Sequence, residues 1–473
     1  MGTTTLTFLG AAGTVTGSKY LLTVNRTGDK IRRILIDCGM FQGPKDLRRK
    51  NWADFPVDPA SVTDILLTHA HMDHTGMLPR LVKYGFRGRI WCTPATAELT
   101  AIVLRDSAHL QERDAEYAQS RGYSRHASPA PLYRVTDVED TLPLIRTIDF
   151  HQATDLGDGL VATWYRAGHI LGSASIHLAT YSGSILFSGD LGRDTHPVLK
   201  PREKPPGADI VLVESTYGDR EHFDPVDQAH EVLASAIRRT IERSGSVLIP
   251  AFAVDRTEVV LKALADLQDA GRIPAVPIYV DSPMALASLR IYQAERHRNE
   301  LIEAVGNLAL PQLDIREVHT PEQSERLNRP SEPCIIISAS GMATGGRVLH
   351  HLEHMLPNPQ HCVVLSGYQA LGTRGRALAD GARHLKMYGT YVAVRAEVVR
   401  DEEFSVHADG SELLGWVAAL VPQPTQIFCV HGEPDSASAL SQRLGDELSV
   451  VAVVPTSGET IRVKGAIRTP PIP

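Results

Sequence analysis

The sequence predicts an α/β fold in two parts, a sandwich interrupted by a parallel-sheet unit, and three features carry that reading. Residues 1–200 hold short apolar, β-branched runs such as IRRILID, TDILLTH, LVATWYRA and SILFSGD, broken by Gly and Asp turns and helical stretches, the texture of an α/β sandwich. From Phe223 to about Ala396, helices alternate with the buried runs SVLIPAF, PIYVDS, CIIISAS and CVVLSGY, each closing at Gly, Ser or Pro, which predicts a parallel sheet. The stretches VAVRAEV, TQIFCVHGE and SVVAVVPTSGETIRV then resume the short strands of the opening section. A chain of 473 residues can bury two such cores.

Between these runs, DSAHLQERDAEYAQSRG (Asp106–Gly122) carries helix-forming charges and is ended by the Pro-rich ASPAPLY, while the RTPPIP tail is expected to be disordered. Hydrophobic residues at 43% and charged residues at 22% are ordinary for a globular protein, and no apolar run is long enough to span a bilayer, so no membrane partner is expected. The N-terminus alternates like a strand and lacks the basic start of an export signal, which places the protein in the cytoplasm. Five scattered cysteines, Cys38, Cys92, Cys334, Cys362 and Cys429, are expected to be buried free thiols. A formal charge of −7 argues against a protein that coats nucleic acid. Residues 365–400 nonetheless carry six Lys or Arg against two acids, a local basic excess that would suit a groove.

The chemistry is concentrated in His69-Ala-His71-Met-Asp73-His74, four ligand-type side chains on one turn directly after the strand DILL. Imidazole and carboxylate suit zinc and related ions, and a catalytic site needs further ligands converging from other loops. His169 in RAGHILGS and Asp190 in FSGDLGR stand at two more strand ends of this kind. So many imidazoles and carboxylates buried together would be costly without a cation. The remaining histidines, among them His109, His177, His196, His222, His350 and His351, are expected to serve packing or the surface. The Gly-rich GAAGTVTGSK lacks a GK[ST] ending and precedes a strand, so it is not a phosphate-binding P-loop.

These residues resemble the metallo-β-lactamase superfamily, whose HxHxDH motif, later His and bridging Asp occur here in order. The resemblance implies an αββα sandwich with two zinc ions per chain. His69, His71 and His169 would hold the first ion, Asp73 and His74 the second, with Asp190 bridging both and Asp37 supporting from ILIDCG. The best candidate to complete the second ion is His431 in CVHGE, with residues 191–430 intervening, as though a whole domain were inserted. That arrangement resembles the β-CASP branch, nucleases with a Rossmann-like domain placed inside the hydrolase domain, and implies a division at 1–218, 219–396 and 397–473. Glu214 in VLVESTYGDR, His407 in EEFSVHADG and His431 match the branch motifs, and LIPAFAVDRTE, YVDSPMA, SASGMATGGR and SGYQALGTRGR extend the resemblance over nearly the whole chain. No KH-like module is expected before the hydrolase part, and the architecture is expected to be the branch's minimal one.

By this resemblance the protein is a zinc-dependent ribonuclease acting in RNA processing or decay, internally or from the 5′ end, on single-stranded RNA. DNA-directed members of the branch tend to carry Val where this chain has His431. Asp73 would accept the proton of the attacking water, and His407, oriented by Glu214, would protonate the departing oxygen. Ser338, Ser340, Gly341, Met342, Gly367, Gln369, Thr373, Arg374 and Gly375 would grip phosphates through hydroxyls, backbone N–H groups and charge. Asp255 stands where many relatives have Gly, and a carboxylate there could pair with Arg256 or repel phosphate. A DNA nuclease of the same branch and a small-molecule ester or thioester hydrolase are the alternatives, and a homodimer is left open.

Overall fold

The computed structural model describes residues 2–26, 31–121, 130–222 and 229–465. The RTPPIP tail therefore lies outside the described residues. The chain forms two compact units, the first comprising residues 1–42, 46–221 and 406–473, the second residues 43–45 and 222–405.

The first unit is built on two seven-stranded sheets. One runs in the order Thr460–Arg462, Thr3–Phe8, Tyr20–Asn25, Arg32–Ile36, Asp64–Leu66, Arg89–Cys92, Ile145–Thr147; the other Val451–Val453, Gln426–Val430, Ile210–Glu214, Gly183–Phe187, Ala174–Thr180, Leu160–Arg166, Thr154–Gly157. Strand Thr3–Phe8 alternates, sending Thr4, Leu6 and Phe8 inward, as a period-2 element with one buried face must. Leu6, Phe8, Leu22 and Ile36 meet Trp164, Ile176, Phe187 and Phe428 between the sheets, with the Phe8 and Phe428 rings 4.9 Å apart. Strand Ile210–Glu214 is buried along its whole length, because it pairs in parallel on both sides and helices cover the sheet's other face. Helices Leu78–Lys83, Pro94–Arg121 and Val135–Thr141 cover one outer face, and Gly410–Ala418 with Pro434–Leu448 cover the other, giving an αββα sandwich. The helix expected from Asp106 starts earlier, at Pro94, where proline's fixed φ suits the first turn.

The second unit carries a six-stranded sheet in the order Ile315–Glu317, Ile278–Asp281, Ile335–Ser338, Val247–Pro250, Cys362–Leu365, Glu397–Arg400, every pair parallel. Its four central strands are the apolar runs read from the sequence. The short edge strands carry charge in place of that apolar signal. Strand Glu397–Arg400 hydrogen-bonds to Cys362–Leu365, so the chain returns to the first unit at Val406 and not at 397. All five cysteines are buried and free. Among the described residues no helix is long and apolar enough to cross a membrane.

One buried acid of the second unit is held away from water. Glu258, on helix Arg256–Asp269, is fully inaccessible, and burial, reinforced by the nearby Asp255 carboxylate, pushes its carboxyl up to about 8. In the unfolded chain the same group ionises near its ordinary value of about 4.5, so folding takes up a proton and stability falls as pH rises from about 5 to 8. Glu258→Gln is expected to flatten that dependence, worth on the order of 4–5 kcal/mol across the window, in urea unfolding at pH 5, 7 and 9.

Candidate metal centre

The ligand-type side chains of the first unit sit at the ends of strands from both sheets. His69 follows Asp64–Leu66, His71 caps the one-turn helix Met72–Thr75 that carries Asp73 and His74, and Asp37 follows Arg32–Ile36. From the facing sheet come His169 after Leu160–Arg166, Asp190 after Gly183–Phe187, Glu214 at the end of Ile210–Glu214, and His431 after Gln426–Val430. Trp164, fully buried between the sheets, donates its indole N–H to the Leu67 carbonyl at 3.1 Å and so fixes the strand end that launches the histidine turn. The loops press together so closely that a Cβ on Gly39 would stand 1.6 Å from the Asp73 carbonyl oxygen, and one on Gly192 1.8 Å from that of Gly168. Only glycine fits at either place.

Two groups of donors result. His69, His71, His169 and Asp190 bring one atom each within 4.8 Å of one another, and so do Asp73, His74 and His431. Asp190 faces both: its Oδ2 lies 3.6 Å from His69 Nε2 and 3.7 Å from His169 Nε2, and its Oδ1 lies 3.3 Å from His74 Nε2 and 3.5 Å from His431 Nδ1. Imidazole nitrogens converge at 3.1 Å (His69 Nε2 to His71 Nδ1) and 3.3 Å (His74 Nε2 to His431 Nε2). Asp190 Oδ1 is buried yet accepts no hydrogen bond. A buried acceptor left unmatched is costly, and lone pairs aimed at one another at these distances suit a cation between them. The residues therefore fit divalent ions of the zinc type.

The surrounding hydrogen bonds orient these rings. Asp37, in the left-handed region at φ 58°, places Oδ2 2.7 Å from His74 Nδ1 and accepts from the Thr68 N–H and hydroxyl, each at 2.8 Å. Thr68 Oγ1 lies 3.1 Å from His69 Nδ1, and Thr216 Oγ1 lies 3.2 Å from His431 Nδ1. The Gly-rich loop rejected as a P-loop is a buttress: Ser18 N–H donates to the Asp73 carbonyl and His431 N–H to the Ala11 carbonyl. Sequence reasoning missed Thr68, Thr216 and Ser18. Their only signal was adjacency to a motif residue or to a glycine turn.

Burial holds the His69 and His169 imidazoles well below, and that of His71 below, their ordinary range, so these rings are neutral. For His74 burial acts the same way, but Asp190 and Asp37 outweigh it and raise this imidazole well above its usual value; Asp190 with Asp73 raises that of His431 above its usual value. Burial would raise Asp190, yet His431, His74 and His69 hold it well below the ordinary carboxylate range.

His407 stands beside this cluster, its ring 4.4 Å from that of His169. Its Nδ1 lies 3.2 Å from both carboxylate oxygens of Glu214, which is fully buried and also accepts from the Leu191 N–H at 2.7 Å.

The residues expected to grip substrate all lie in the second unit, where two loops interlock. Gln369 Nε2 donates to the Gly341 and Gly367 carbonyls, Gly375 N–H to the Met342 carbonyl, and Ala370 N–H to Met342 Sδ. A Cβ on Gly375 would stand 1.7 Å from Gln369 Oε1. Three assignments need correction. Ser338 is buried and its hydroxyl donates to the Asp281 carbonyl; Thr373 caps helix Arg374–Ala379 by accepting from Arg376 N–H; and Arg374 is spent on the carbonyls of Lys386, Ala343 and Thr344. Their side chains take part in building the loops. Ser340 pairs with Thr344 at 3.0 Å in a more open position. Asp255 is buried, adopts φ 67° and accepts from the Tyr292 hydroxyl at 2.9 Å, so its carboxylate faces the unit's interior. A positive φ at this position is one that glycine adopts without cost.

Three family models match the chain in succession: the metallo-beta-lactamase superfamily over residues 24–251, the Beta-Casp domain over 257–378, and the Zn-dependent metallo-hydrolase RNA specificity domain over 391–455. A ribonuclease of Thermus thermophilus is 37% identical over 448 residues, covering 93% of this chain and 96% of that protein. The chain belongs to the β-CASP branch of the metallo-β-lactamase superfamily. An RNase J-like protein of Methanocaldococcus jannaschii is 30% identical over 434 residues, 91% of this β-CASP chain and 94% of the relative. A transcription termination factor of Pyrococcus abyssi is 33% identical over 415 residues, 85% of this chain but 62% of that longer protein. A crystal structure of a protein of unknown function from Enterococcus faecalis superposes with a TM-score of 0.53 at 14% identity, covering 97% of this chain and all of that one, a likeness of fold.

Because Asp37 anchors His74 from the side away from the ligand atoms, Asp37→Asn, which tolerates the same left-handed backbone, is expected to weaken zinc binding about tenfold to a hundredfold in chelator competition. Protons held by His74 and His431 compete with metal. Zinc affinity is therefore expected to fall as pH drops, with proton release on binding measurable by calorimetry in buffers of differing ionisation enthalpy.

Proposed function

We propose that this β-CASP protein is a zinc-dependent ribonuclease that hydrolyses phosphodiester bonds of single-stranded RNA in the cytoplasm, using two metal ions per chain. The observation that carries the reading is the divided carboxylate of Asp190, one oxygen turned to each donor group. His69, His71 and His169 would hold one ion and Asp73, His74 and His431 the other, with Asp190 shared. Bound ions of this kind supply hydroxide from coordinated water at neutral pH and offset charge on the phosphoryl group.

The chain's own groups do the rest. Asp73, 3.2 Å from His431 Nε2 and with 18% of its side chain exposed, is the carboxylate of the cluster that solvent reaches, and it accepts the proton of the attacking water. Glu214, fully buried, meets His407 at Nδ1 and fixes its tautomer, so that His407 gives a proton to the departing ribose oxygen. RNA as substrate is supported by the names of the bacterial and archaeal relatives and by His431 in place of Val.

Metal-loaded protein incubated with end-labelled single-stranded RNA and matching DNA is expected to cut the RNA, with the product ladder distinguishing internal from 5′-end cleavage. His69→Ala should lose metal and activity together, whereas His407→Ala should keep metal and lose about 10²–10⁴-fold in rate. Retention of RNA cleavage by both variants, or cutting of DNA alone, would defeat the assignment.

A further inference from the structure

Strands His384–Met387 and Thr390–Ala393 form a separate antiparallel hairpin in the second unit, pairing Lys386 with Tyr391 and His384 with Ala393. Its inner face is already fully used: Leu385, Met387 and Val392 are buried in the unit's core beside Leu378 and Leu352. The outer face presents Tyr391, 73% exposed, with the Lys386 ammonium 5.9 Å from its ring centroid. At the turn, Tyr388 is 47% exposed and lies stacked on His350, ring centroids 5.0 Å apart and 17° from parallel. The Tyr391 ring thus stands in solvent where packing does not require it, while Tyr388 packs one face on His350.

The chain segment that carries them is cationic. Residues 374–396 contain five Lys or Arg and a single acid, Asp380, which Arg376 already engages at 2.9 Å. The chain as a whole carries −7, so this cationic strip opposes the general trend. An exposed aromatic face with the Lys386 ammonium beside it, in a cationic stretch of chain, matches a flexible polyanion bearing flat bases. Stacking satisfies the rings, and phosphates satisfy the cations. An apolar protein partner would leave the charges unmet.

We propose that this hairpin is a stacking platform for single-stranded RNA, with Tyr391 taking a base on its face and Lys386 a neighbouring phosphate. The proposal rests on the ribonuclease reading above and adds to it a gripping surface that none of the loops named from the sequence contains.

The test is fluorescence anisotropy with fluorescein-labelled oligouridylate, titrated into the full metal-loaded chain carrying His407→Ala to stop turnover. Tyr391→Ala in that background should weaken binding about tenfold, and Tyr391→Phe should restore it to within about twofold, because the ring face is what binds. Lys386→Ala should flatten the dependence of log affinity on log salt by about 0.7. Both side chains are exposed, so unfolding midpoints should not move. Binding by Tyr391→Ala within twofold of its parent overturns the platform, and so does equal competition by polyglutamate, which would mark a generic anion surface. In either case RNA cleavage by the protein with His407 intact leaves the ribonuclease reading standing. If that protein neither binds nor cuts RNA, the reading and the platform fall together.

Discussion

The structure turns on one carboxylate that must serve two sides. Asp190 leaves the end of strand Gly183–Phe187 buried, with one oxygen toward His69 and His169 and the other toward His74 and His431. Neither side can be satisfied by the protein alone, since Oδ1 accepts no hydrogen bond and the imidazole nitrogens opposite it already crowd one another. The rest of the first unit can be understood as what is needed to hold that arrangement. Two sheets packed face to face bring strand ends together, Trp164 ties the histidine turn to the facing sheet, and glycines at 39 and 192 let loops approach to a distance no side chain would permit. Core burial of this kind is non-directional, but it fixes backbones well enough for directional chemistry at their ends.

The supporting layer works by the same logic at smaller scale. Asp37, Thr68 and Thr216 each spend a polar atom on the back of an imidazole, which decides which nitrogen faces inward. Glu214 does this for His407 while also accepting from the Leu191 N–H, so the buried acid is matched on more than one side. A buried carboxylate matched by several donors is held in one orientation, and so is the imidazole that meets it.

The sequence was readable where neighbours in the chain are also neighbours in space. HAHMDH lies on one turn, so its four donors declare themselves, and the four central strands of the second sheet announce themselves as unbroken apolar runs. His431 was readable only through a motif, because nothing in spacing links it to Asp190. Thr68, Thr216 and Ser18 were not readable, since a hydroxyl acquires meaning here only from a ring brought to it by folding. The same limit misdirected Ser338, Thr373 and Arg374: their residue types suit phosphate, but the strand end, the helix start and the facing carbonyls take them first. Asp255 is the reverse case. Its φ of 67° accounts for the glycine of its relatives, and its carboxylate is satisfied by Tyr292. Strand Glu397–Arg400 was assigned to the wrong unit because a short charged edge strand carries no mark of the sheet it joins.

Strand Gln426–Val430 lies beside Ile210–Glu214 in the second sheet of the sandwich, yet the entire parallel-sheet unit is translated between them. Contacts so distant in sequence form late. A growing polypeptide therefore reaches the ribosome exit with His69, His71, Asp73, His74, His169 and Asp190 already made but without His431, His407 or the strand that seats His431. The donor cluster is completed only when the last part of the sandwich has been synthesised and has closed against the first. For a protein that cuts RNA, that order of synthesis leaves the nascent chain without His407 and His431 until it is nearly finished.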